Sequence, residues 1–242
     1  MRTSNPMMKE SVFSQAISGA ETMTLQGAVN KTIALLALVV IGASYSWNLF
    51  YNQGPAAVQP WMIGGIIGSL VFAMITIFKA TWAPKTAPIY AVLEGLALGG
   101  ISAFFEARFP GIVIQAVGLT FGTLFALLLA YKTRLIRATE NFKLGVFAAT
   151  GGIAVVYLIS MVGGMFGWNM PVIHESGPMG ILFSLFVVVI AALNLVLDFD
   201  FIERGHGVAP RYMEWYAAFG LVVTLAWLYL ELLRLLSKLR ER

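Results

Sequence analysis

The sequence contains no cysteine, so disulfides, thiolate nucleophiles and cysteine-ligated metals are all excluded. Charge is scarce too: Asp, Glu, Lys and Arg make up 12% of 242 residues against 59% hydrophobic, and mean hydropathy is +0.81. Those values exclude an ordinary soluble domain and describe an integral membrane protein. Any imidazole chemistry falls to two histidines, His174 and His206. Nine prolines beside 24 glycines suit closely packed helices better than a disordered or collagenous chain, and no internal repeat is evident. The net charge of +4 is basic. In a membrane chain that bias follows from Lys and Arg gathering in cytoplasmic loops, and no nucleic-acid partner is expected. Residues 1–26 are mixed and polar, without the basic start and short apolar core of a secretory signal. They read as a cytoplasmic tail, and residues 27–242 read as one helical membrane domain whose first span serves as an uncleaved signal.

A hydrocarbon core of about 30 Å requires roughly 20 apolar residues in a helix. Seven stretches meet that requirement, near residues 29–50, 60–79, 87–105, 110–131, 143–166, 178–200 and 213–236. Basic residues orient them. Arg2, Lys9 and Lys31 precede or enter the first span, and Lys79, Lys85, Lys132, Arg134, Arg137, Lys143, Arg204 and Arg211 flank the even connections, whereas the odd connections hold only Arg108. The N-terminus is therefore expected in the cytoplasm. Arg234, Lys238, Arg240 and Arg242 oppose this, since seven crossings place them outside. A re-entrant last segment is the alternative. Glycines four apart at 64/68, 95/99, 118/122 and 163/167 give the small-xxx-small spacing of close helix packing.

A carboxylate at the bilayer centre costs roughly 3 kcal/mol on insertion scales, so it faces the bundle interior and is paired or protonated. Three acids stand out: Glu94 in "YAVLEGLALGGIS", Asp198 in "VLDFDFIERG" and Glu231 in "WLYLELLRLL". Asn194 lies one turn before Asp198 on the same face. Glu94 and Asn194 are candidates for a polar interior or ion pathway. Plainer roles stand beside these: a cross-helix hydrogen bond for Glu94, pairing with Arg234 for Glu231, and solvated interfacial charge for Asp200 and Glu203. On this topology His174 and His206 lie on opposite membrane faces and cannot share a metal. "GGISA" lacks the Gly-x-Ser-x-Gly pattern of a hydrolase. No enzyme, metal or cofactor is expected.

The chain resembles the transmembrane Bax inhibitor motif family, in particular its bacterial Bax-inhibitor-like branch. "SNP", "MTLQGAVNKT", "IYAVLEGLALGGIS", "FPGIVIQAVGLTFGTL", "LVLDFDFIERG" and "YMEWYAAFGLVVTLAWLYLELLRLLSKL" carry the resemblance. It implies an all-α membrane fold with six helices around a central last helix, and a pH-sensitive calcium leak, here in a bacterial inner membrane. The family's sensor is an acidic pair that shares a proton, and it maps onto Asp198 and Glu231, although this chain has "LYLE" where the family has Leu-Tyr-Leu-Asp. Glu231 lies about 25 Å along the last span. Glu214, at the start of that span, is therefore the alternative partner. A basic latch near the end of the second helix falls to Lys79 or Lys85. The expected partners are the lipid bilayer and calcium as permeant ion. A competing reading is a non-transporting regulator that binds other membrane proteins, such as a quality-control protease.

Overall fold

The computed structural model describes residues 22–166 and 177–241. Among the described residues the fold has seven α-helices: α1 (Leu25–Gln53), α2 (Pro55–Phe78), α3 (Ala83–Arg108), α4 (Ile112–Lys132), α5 (Glu140–Met165), α6 (Pro178–Gly205) and α7 (Met213–Arg240), with a 3-10 turn at Ala80–Trp82 before α3. All seven are long and apolar enough to cross a membrane. Each expected span is present. Most run a few residues further at one or both ends, because a helix continues past the hydrocarbon into the interface. α1 starts at Leu25, two residues inside the expected tail, where the Thr24 hydroxyl caps it by accepting from the Gly27 amide at 2.9 Å.

The connections explain the sharp reversals. Gly54 alone joins α1 to α2 at φ 90°, a left-handed value that a side chain would strain, and Pro55 then opens α2. Gly111, at φ 81°, does the same before α4.

Close packing is concentrated between α1 and α3. A Cβ on Gly95 would stand 2.3 Å from the Val39 carbonyl oxygen, and one on Gly99 the same distance from that of Ala43. The 95/99 spacing therefore brings two backbones into contact. The other spacings do less. Side chains at Gly64, Gly118 and Gly122 would meet open space, and Gly65 rather than Gly64 abuts α3, 2.7 Å from the Leu93 carbonyl oxygen. Of the fourth pair, Gly167 lies outside the described residues.

α7 is the most buried span. α1, α3, α4 and α6 pack directly on it, while α2 lies outside on α1 and α3, and α5 leans on α6. The six-around-one arrangement thus has an inner tier of four helices and an outer pair. At 28 residues α7 is about 42 Å long. It is unbroken, so the re-entrant alternative is set aside. Two rims result. At the first, Met23 donates its amide to Ala209 at 2.8 Å and joins the N-terminal segment to the α6–α7 connection. At the second, Arg240 donates to the Pro110 carbonyl at 2.7 Å and Lys238 to that of Gly180 at 3.0 Å.

Candidate functional site

Three of the acids singled out from the sequence, Glu214, Asp198 and Glu231, lie at successive levels along α7. Glu214 begins the series at the first rim. It is 2% exposed, yet its carboxylate is fully furnished: the Thr24 amide and hydroxyl each donate at 2.9 Å and Lys31 Nζ at 2.5 Å. Gly27 makes the room, since a Cβ there would stand 2.1 Å from Glu214 Oε1. The pair ties α1 to α7.

Asp198 comes next. It stands on α6 level with Gly220, where an added Cβ would lie 3.7 Å from Oδ1, and the Thr224 hydroxyl faces it from α7. Thr224 also donates to the Gly220 carbonyl at 3.2 Å. Asp198 Oδ2 is buried and has no hydrogen-bond partner. A buried polar atom left in this way is costly and rare.

Glu231 forms the third level and is 2% exposed. Tyr157 of α5 donates to it at 2.9 Å, Trp227 Nε1 at 3.3 Å and Arg234 Nη1 at 3.1 Å, while Arg234 also donates to the Tyr157 hydroxyl at 2.6 Å. Beyond it, buried Lys238 donates to the Gly180 carbonyl and, at 2.9 Å, to the Ser184 hydroxyl.

Asp198 is therefore paired directly with neither expected partner. Glu231 lies seven residues past Thr224, about 10 Å along the axis, and Glu214 six residues before Gly220, about 9 Å. Each already has a cation of its own. The Arg234 pairing offered as the plainer role of Glu231 is the contact observed. Asn194, although one turn from Asp198, turns to α5 and donates to the Thr150 hydroxyl at 2.8 Å. Glu94 faces Ser69 of α2, on the outer side of α3, so the structure does not gather it with Asp198. Lys79 lies over the Trp82 ring at 4.4 Å. Neither Lys79 nor Lys85 forms an ion pair among the described residues, so neither latches an acid here. Asp200 is less solvated than expected: Lys143 meets it at 2.7 Å and Arg204 at 2.9 Å. His206 caps the end of α6, and His174 lies outside the described residues.

Several partners went unforeseen. Tyr157 offered no sequence signal beyond an aromatic in an apolar span. Lys31 does offer one, a cation inside an apolar stretch. The C-terminal cations, which oppose the expected orientation, do not all face water. Here Arg234 and Lys238 are bonded inside the bundle, and Arg240 reaches Pro110 and Gln115.

The model of the family described as Bax inhibitor 1 like matches residues 5–241, nearly the whole chain. No curated protein and no solved structure matches.

Proposed function

Since the chain belongs to the Bax inhibitor 1 like family, we propose that it is a pH-sensitive calcium leak channel of a bacterial inner membrane, that it carries out no covalent chemistry, and that Asp198 is the group through which protons act. One observation supports this reading above the others: the buried oxygen of Asp198 has no partner, while Glu214 and Glu231 are saturated. A proton can shift an equilibrium between two conformations only through a group that binds it differently in each. Carboxylates held by a cation and two or three donors are poorly placed for that. An unfilled carboxylate oxygen between α6 and α7 can take up a proton, or meet a hard cation that favours oxygen ligands. The sensor pair implied by the resemblance then becomes one responsive acid between two fixed ones.

The test is calcium flux into proteoliposomes that contain the purified protein alone, measured across pH. A flux that depends on both protein and pH is the expected outcome. Liposomes as tight as protein-free controls at every pH would overturn the channel and favour the non-transporting regulator.

A further inference from the structure

We infer that the crevice between α1 and α4 holds the acyl chain of one anionic phospholipid, whose headgroup is gripped by Lys132, Arg134 and Arg137. α1 and α4 both pack on α7 yet stand apart from each other. The gap contains two cavities of about 530 and 990 Å³ that share Leu36 and Phe121 as walls and have α7 as their floor. Val113 and Lys132 mark its ends on α4, a length of about 28 Å. One acyl chain spans about half of a hydrocarbon core of about 30 Å, so a full chain fits within that length.

Charge selects the occupant. The deep part is walled by groups such as Val39, Val117 and Leu225, whereas the mouth at the first rim carries Lys132, Arg134 and Arg137. These three side chains are exposed and form no ion pair among the described residues. The acids beside them are engaged, Asp200 by Lys143 and Arg204, and Glu203 by the Tyr131 hydroxyl. Arg134 is also the one described non-glycine residue at positive φ, 59°. There it closes α4, the Arg134 and Leu135 amides donating to the Tyr131 and Ala130 carbonyls at 2.9 Å, which fixes the turn that carries the three cations. Free cations at the interface end of an apolar slot match a lipid with a negative headgroup, and a neutral chain or a helix would leave them unanswered.

Native mass spectrometry would count lipids retained by the protein after reconstitution in equal parts phosphatidylglycerol and phosphatidylcholine. One phosphatidylglycerol per chain is expected, favoured over phosphatidylcholine. Replacing Lys132, Arg134 and Arg137 together by Ala should cut that preference by up to about a hundredfold, and Lys85→Ala should leave it unchanged. Val117→Trp, which fills the deep part, should release the lipid with the basic turn intact. Phosphatidylglycerol with a photoreactive chain end needs no variant, and on wild-type protein it should label crevice residues of α1, α4 and α7. Equal retention of both lipids, labelling confined to α2 and α5, or a lipid-free dimer would each overturn the assignment.

Discussion

Glu231 and Asp198 both carry a carboxylate into the same bundle, about two helical turns apart, yet their surroundings are opposite. Glu231 has an arginine, a tyrosine and an indole donating to it, whereas one oxygen of Asp198 is buried with no donor. The first arrangement fixes a helix, because Tyr157 loses its bonds to both Glu231 and Arg234 if α7 moves relative to α5. The second fixes nothing and costs free energy for as long as the carboxylate stays charged. Two acids that look alike in the sequence are thus held differently: one is tied to α5, and the other keeps a buried oxygen without a donor. Glu214 with Lys31 is a second anchor at the opposite end.

The comparison breaks most readily at the anchors. Arg234→Ala leaves Glu231 buried without its cation and should lower stability by about 3 kcal/mol, the low end for such losses because Arg234 is partly exposed. Thermal unfolding in detergent would measure it. A loss below about 0.5 kcal/mol would mean that Glu231 is not an anchor. Gly27→Ala should come next. Alanine adds roughly 1 kcal/mol of helix propensity, but its Cβ would occupy the place of the Glu214 carboxylate, so a net loss of about 1 to 2 kcal/mol is expected. Lys31→Met in the same background should then cost little more, since the pair is already broken. Asp198→Asn should have the smallest effect on folding, within about 0.5 kcal/mol of wild type or slightly stabilising, since it removes a buried charge that lacks a partner. A loss as large as that of Arg234→Ala would show Asp198 to be a third anchor.

Much of the fold was legible in the sequence because the hydrocarbon core dictates span length, and each expected span is present with shifted ends. The acids themselves were legible too, since a carboxylate in an apolar run is conspicuous. Their partners were not. Arg234 lies three residues from Glu231 and could be paired on helical spacing. Tyr157 comes from a helix 74 residues away, and no local pattern announces it. The expected pairing of Asp198 with Glu231 failed on axial depth, which depends on where the α6–α7 turn falls. The glycine spacings show the same limit: four pairs look alike, and the choice of 95/99 for backbone contact rests on which face α1 covers.

The most direct measurement is the pH profile of calcium flux in proteoliposomes bearing wild type, Asp198→Asn, Glu231→Gln or Glu214→Gln, each verified as folded. If Asp198 alone responds to protons, Asp198→Asn should flatten the profile, while the other two variants keep its midpoint even where they alter its height. An Asp198→Asn profile that follows wild type, with Glu231→Gln flat instead, would contradict the assignment and place the proton-responsive group at Glu231.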